Sequence, residues 1–242
     1  MKLSIVIPAY NEEDRLAVTL KNTLDYLKTQ DFQTQVVVVS DGSRDSTVAV
    51  AKSFDGREKN VLVHALEYFP NRGKGYAVQY GMLRAQGQRV LFMDADYAVP
   101  LRELEKPMAL LDAGADIAIA SRALAGSEVL HHQTYLRELS GRIYTLVQNQ
   151  LLGFSYPDTQ CGFKMFRHAA AQDLFARQKL CSVIFDAEIL WLAKKRGYKV
   201  AQFPVHWTHQ EDSRIRYDNW RKSVFIFQEL FRIKKLHKGE KF

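Results

Sequence analysis

The sequence predicts an α/β fold, a mostly parallel sheet flanked by helices, and three observations carry that expectation. Short apolar runs alternate with helix-spaced segments through the first half of the chain. The runs are near-continuously apolar, as in strands covered on both faces. Several of them end in polar residues, and open α/β sheets bind ligands at the carboxyl ends of their strands.

The elements follow in order. Strands are expected at 3–10, 35–40, 60–66, 89–96 and 116–122, and helices at 12–29, 45–53, 74–86 and 100–112. Asn11 is a candidate cap for the first helix, and Glu12, Glu13 and Asp14 suit its positive N-terminal dipole. Beyond residue 125 the alternation weakens. A helix is expected at 135–151, a loop feeding a short strand at 153–166, a helix at 182–197 and a strand at 198–207. No Gly/Ser/Pro linker divides the chain, so 1–210 reads as one domain. Residues 211–242 read as a basic amphipathic segment, part of that domain or a membrane-interface helix.

With 242 residues, 47% of them hydrophobic, the chain can bury a sizeable core. Its first residues turn acidic too early for a signal peptide, and no run approaches the roughly 18 apolar residues of a spanning helix. Cys161 and Cys181 stand far apart, which suggests neither a zinc site nor a disulfide framework. The location expected is cytoplasmic, with peripheral contact at the cytoplasmic membrane face as a further possibility. The net charge is +7, and nine Lys or Arg against three Asp or Glu lie between Arg214 and Phe242. The body is therefore near neutral, and nucleic acid is not the expected partner.

"RVLFMDADYAVP" (89–100) places Asp94 and Asp96 where an apolar run meets solvent. Residues two apart in a strand share a face, and adjacent carboxylates repel unless a cation lies between them. Mg2+ or Mn2+ would resolve that repulsion; a polar turn is the alternative. Asp41 in "SDGSRDST" can accept from a uracil N3–H or form an Asx-turn. Lys74 lies between two glycines before a helix, resembling an anion-binding helix start without the spacing of a P-loop. Arg122, Arg137 and Arg142 are of the type suited to bidentate phosphate binding. Asp158, Gln160 and Lys164 cluster in "DTQCGFKMF", while Asp186 and Glu188 open an otherwise apolar helix whose dipole they would complement.

"VIPAYNEE", "DGSRDST", "NRGKG", "MDAD", "SRA", "DTQCGFKMF" and "FDAEILWLA" occur in this order over roughly residues 3–210. In this the sequence resembles the family 2 glycosyltransferases of the GT-A fold, closest to their dolichyl-phosphate glucosyl- and mannosyltransferase branch. The resemblance implies that Pro8, Tyr10, Glu12 and Asp41 line the nucleotide pocket, with Lys74 beside them. It implies that Asp94 and Asp96 hold Mg2+ or Mn2+ against the donor diphosphate, that Arg122 contacts diphosphate and metal site, and that Arg137 meets the acceptor phosphate. The family usually has Asp where this chain has Ser40, which removes one expected base or ribose contact. Eukaryotic members of that branch begin with a membrane anchor, which this sequence does not show.

The expected reaction is inverting transfer of a hexose from a nucleotide sugar to a polyprenyl phosphate, with UDP-glucose as the donor on the resemblance alone. Such an acceptor is already ionised and needs positioning cations; a hydroxyl acceptor would instead need a base, for which Asp158 is the candidate. A soluble hydroxyl-directed transferase, a sugar nucleotidyltransferase and a nucleic-acid-binding protein are the alternatives. In the C-terminal helix, Trp220, Val224, Phe227 and Phe231 share one face, widened by Phe225, Ile226, Leu230 and Ile233. That face would lie in a membrane interface or pack on the core.

Overall fold

The structure, a computed structural model, describes residues 1–130, 135–208 and 220–240, without the side chains of 135–140, 142 and 220–223. The strands β1 (Leu3–Ala9) and β2 (Thr34–Asp41) are buried at every position. Their side chains alternate between two core layers. Leu3, Ile5, Ile7, Val36 and Val38 meet Leu16, Leu20 and Leu24 of helix α1 (Glu13–Leu27). Val6, Val37 and Val39 point to the opposite layer.

The chain continues through α2 (Thr47–Ser53), the short β3 (Gly56–Glu58), β4 (Val61–Tyr68), α3 (Lys74–Met82) and β5 (Arg89–Met93). A 3-10 turn at Leu101–Leu104 leads into α4 (Glu105–Asp112), followed by β6 (Ile117–Ser121), β7 (Glu128–Leu130) and α5 (Tyr135–Leu152). Then come β8 (Phe163–Arg167), α6 (His168–Arg177), α7 (Phe185–Lys195), β9 (Val200–Pro204), β10 (His206–Thr208) and α8 (Trp220–Leu236).

Eight strands form one sheet in the order β3-β4-β2-β1-β5-β8-β6-β9, and β10 pairs with β7 in a second, two-stranded one. The parallel register β4-β2-β1-β5 is the predicted part. The departure is β8, inserted antiparallel between β5 and β6. Its antiparallel course starts at the carboxyl end of β5 and brings the preceding loop, 153–162, to the same sheet edge as the ends of β1, β2, β4 and β6.

Several expectations are corrected. Asn11 does not cap α1: Glu12 holds the cap position without a side-chain cap bond. Asn11 instead has φ +54°, and its Oδ1 accepts from the Arg44 N–H at 2.9 Å. The helix α6 went unpredicted because it follows β8 directly, with no connecting turn or capping side chain. The run 198–207 is split into β9 and β10. In α8, Leu230 and Ile233 are fully buried against the layer that holds Leu190 and Trp191, whereas Val224 and Phe231 are exposed.

Candidate active site

Strand β5 ends at Met93, so Asp94 and Asp96 occupy a turn, not the strand pleat predicted for them. Tyr97, at φ +54°, completes that turn. Its backbone is tied on both sides: the Thr19 hydroxyl of α1 donates to Ala95 O at 2.6 Å, and the Asp94 N–H donates to Gly162 O at 3.0 Å. Asp96 Oδ1 accepts the Ala98 N–H at 3.0 Å. Any Cβ at position 162 would stand 2.0 Å from Asp94 Oδ2, so glycine there leaves the volume the carboxylate occupies. Sequence reasoning missed Gly162, whose only signal was its place inside "DTQCGFK".

The charges interlock. Lys74, the first residue of α3, places Nζ 2.7 Å from Asp94 Oδ1. Burial alone would lower the Lys74 pKa, but Asp94 and then Asp186 outweigh it and the pKa rises. The Asp96 carboxyl is pushed up, by burial first and by Asp94 second, with Arg15 and Lys74 opposing. Asp186 lies in the first turn of α7, as expected, and is also buried against Lys164 Nζ at 2.5 Å. Lys164 Nζ also donates to Cys161 O at 2.7 Å.

Two carboxylates on one turn, with the Asp96 carboxyl pushed up by burial and by Asp94, are hard oxygen donors of the kind that suits Mg2+ or Mn2+. Among the described residues no third His, Cys, Asp or Glu joins them in a metal-binding group. Mg2+ is ordinarily held by one or two carboxylates plus substrate phosphates.

Asp41, at the end of β2, is bound from within. Its carboxylate accepts from the Tyr68 hydroxyl at 2.8 Å, the Arg72 N–H at 2.7 Å, Asn71 Nδ2 at 2.9 Å and the Gly73 N–H at 3.0 Å. A carboxylate has about four acceptor sites, so Asp41 is the fastener of the "NRGKG" loop, with its capacity for a base N–H already taken. Gly75 completes the clamp by donating its N–H to Cys181 O at 2.8 Å. Glu12 is buried and paired with Arg15, whose Nη2 donates to Oε1 at 2.8 Å. Pro8 is buried within β1 opposite Val39, shaping the edge from inside. Tyr10, 39% exposed, is the member of the predicted nucleotide set that faces solvent most openly.

Arg122 follows β6 and meets Asp158 in a bidentate pair, Nε to Oδ2 at 2.7 Å and Nη2 to Oδ1 at 3.0 Å. The backbone N–H groups of Arg122 and Gln160 add bonds at 3.0 Å each. Although burial works to raise it, Arg122 holds the Asp158 pKa down at about 2. Asp158 is thus an anchor for the guanidinium, and this pairing does not favour the base role expected of it only for a hydroxyl acceptor. Glu188 is likewise structural, accepting from the Lys179 and Leu180 N–H groups at 2.9 and 2.8 Å. Arg137 lies on α5, and its side chain, like that of Arg142, falls outside the described residues.

The chain as a whole is similar to known proteins. Residues 4–175 match the profile described as "Glycosyl transferase family 2". The chain belongs to that family. Its similarity to other family 2 proteins extends well past the matched region. A Drosophila melanogaster dolichyl-phosphate beta-glucosyltransferase is 35% identical over 226 residues, spanning 89% of this chain and 69% of the fly protein. The human protein of that name is 33% identical over 88% of this chain and 69% of its own length. In shape, this family 2 chain is similar to Mycobacterium tuberculosis glucosyl-3-phosphoglycerate synthase in complex with UDP. The TM-score is 0.66 at 17% identity, covering 97% of this chain and 79% of that one. Staphylococcus aureus TarS 1-349 gives a TM-score of 0.62 at 18% identity, over 100% of this chain and 67% of the other. The GT-A fold expected from the motifs is therefore the fold observed.

Proposed function

We propose that this family 2 glycosyltransferase moves glucose from UDP-glucose to a polyprenyl phosphate with inversion, using a divalent metal at Asp94 and Asp96. Support for the donor and the lipid comes from the relatives, named dolichyl-phosphate beta-glucosyltransferases in fly and human. Support for the metal comes from the carboxylate pair. A fold neighbour was also solved with Mn2+ and UDP-glucose, at 16% identity and a TM-score of 0.63. The observation that carries the choice of acceptor is the state of Asp158: ionised, saturated with donors and committed to Arg122.

Bound Mg2+ or Mn2+ supplies Lewis-acid neutralisation of the charge on the departing diphosphate. Asp94 and Asp96 would hold it, and Lys74, paired with Asp94, places a cation on the same side. Arg122, held by Asp158 through Nε and Nη2, keeps Nη1 to donate to a phosphate oxygen. An acceptor phosphate oxygen attacks the anomeric carbon from the face opposite the leaving group. The carbon–oxygen bond to UDP breaks, and its electron pair leaves on the diphosphate. Because a phosphate monoester has a second pKa of about 6, the nucleophile arrives ionised and no proton has to be removed. Positioning cations therefore suffice; Arg137 and Arg142 are assigned to the acceptor phosphate.

A hydroxyl acceptor would need a base with a pKa nearer the working pH. Asp158 does not meet that requirement. The test is transfer of label from UDP-glucose, UDP-N-acetylglucosamine or GDP-mannose, each supplied separately with Mn2+ and polyprenyl-phosphate vesicles. Glucose label is expected in the organic phase with the intact protein and none with Asp96→Ala. An empty organic phase, with label appearing on a hydroxyl acceptor, would overturn the reading.

A further inference from the structure

Helix α8 divides its side chains in a way the catalytic site does not require. Leu230, Ile233 and His237 are buried, and both carboxylates of this segment are spoken for. Glu229 is buried against Ser182 and Arg232, and Glu240 pairs with Lys179 and His237. On the outer side, Val224, Phe231 and Lys235 fall within an arc of about 40° on a helix of 3.6 residues per turn, and Lys238 follows in the turn just past its end. Val224 is 42% and Phe231 59% exposed. Among the described residues, no carboxylate pairs with Lys234, Lys235 or Lys238. Helix α5 meets α8 through Tyr144 and Phe227, whose rings lie 6.3 Å apart, and it exposes Ile143 and Leu146.

Both helices are bonded into the walls of the site. From α5, the Gln148 side chain accepts from the Thr159 hydroxyl at 3.0 Å, next to Asp158, and Asn149 Nδ2 donates to Tyr156 O at 2.9 Å. From α8, Glu229 accepts from the Ser182 hydroxyl at 3.2 Å. Ser182 adjoins Cys181, whose carbonyl receives the Gly75 N–H beside Lys74. The exposed apolar groups therefore sit on the elements that fix Arg122 on one side and Lys74 on the other.

We propose that the outer faces of α5 and α8 form a docking surface for an anionic lipid bilayer. The proposal rests on the lipid-phosphate reading above and adds the surface through which the enzyme meets the lipid. Aromatic and aliphatic side chains enter the boundary between headgroups and acyl chains, while the unpaired lysines meet anionic headgroups. Charge complementarity selects a bilayer over a second copy of this chain, since apposed copies would bring Lys234, Lys235 and Lys238 together with, among the described residues, no carboxylate paired to them. Among the described residues no helix is long and apolar enough to cross a membrane, so the contact is with a surface.

The experiment is flotation of the purified full chain with vesicles of phosphatidylcholine alone or mixed with phosphatidylglycerol. The intact protein is expected to float with the anionic vesicles and to be released by salt. Val224→Ser with Phe231→Ser should lower partitioning at least tenfold, and Lys235→Gln and Lys238→Gln by roughly fivefold each. Thermal unfolding of each variant reports whether the fold is retained. Transfer to a detergent-dispersed short-chain polyprenyl phosphate should be unchanged in every variant; its absence in the intact protein would fail the functional reading, separately from the docking surface. Intact protein that ignores anionic vesicles, variants that float equally well, or a stable dimer by sedimentation velocity that Phe231→Ser dissociates would each overturn the docking surface.

Discussion

Lys74 Nζ lies 2.7 Å from Asp94 Oδ1, joining the start of α3 to the turn after β5. This contact places a lysine inside a group of three carboxylates, since Asp96 and Asp186 also act on its ammonium. Lys74→Met should therefore leave those carboxylates in excess and destabilise the protein by about 1–3 kcal/mol. Added Mn2+ should raise the melting temperature more in the variant than in the parent. Equal shifts in the two proteins would show that Lys74 does not counterbalance the acidic turn.

Gly162→Ala isolates the position of one carboxylate. Its backbone is not in the left-handed region, so alanine is conformationally acceptable there. The three atoms nearest the new Cβ all belong to the Asp94 carboxylate, with Oδ2 at 2.0 Å. Transfer should fall by about a hundredfold or more, the scale expected when a catalytic group is misplaced by about an ångström. Circular dichroism should show the fold retained. An alanine variant of near-normal rate would mean that the Asp94 carboxylate is free to sit elsewhere.

Asp158→Asn should cost about 3–5 kcal/mol, because it leaves the Arg122 guanidinium without its counter-charge. The pH dependence follows from the sign of the shift. The Asp158 pKa is lowered to about 2 from the ordinary 3.8, so its stabilisation is complete above pH 4. It is lost as the pH falls through about 2. The stability gap between parent and variant, measured by urea unfolding, should narrow over that interval and stay constant from pH 5 to 8. A gap that varied between pH 5 and 8 would indicate a carboxyl titrating near neutrality, as a general base does.

Asp41→Ala removes one acceptor group from four donors at once. A loss of about 3 kcal/mol or more is expected from the stranded N–H groups. Limited proteolysis should then cut within 69–75 in the variant alone. A variant as stable as the parent would return Asp41 to the role of a free nucleotide contact.

These cases also show which parts of the molecule were legible in the sequence. The β4-β2-β1-β5 core was legible because buried parallel strands are continuous apolar runs, and those runs are local. The acidic turn was legible because two carboxylates directly follow one of them. The pairing of Asp158 was not legible because its partner, Arg122, lies 36 residues away, and a bond of that span leaves no periodic trace. The side-chain partners of Glu188 and Asp186 were hidden for the same reason: His237 and Lys164 are brought close only by packing. The antiparallel insertion of β8 was invisible because pairing direction depends on where the returning loop crosses the sheet.

The central claim is that Asp94 and Asp96 hold the donor diphosphate through a divalent metal, and the most direct measurement is calorimetric titration of UDP in the presence and absence of Mn2+. The parent should bind UDP tightly only with the metal. Asp96→Asn, which keeps the shape and removes the charge, should lose the metal-dependent part, a factor of about a hundred. UDP binding with equal affinity in both proteins and indifferent to Mn2+ would contradict the account.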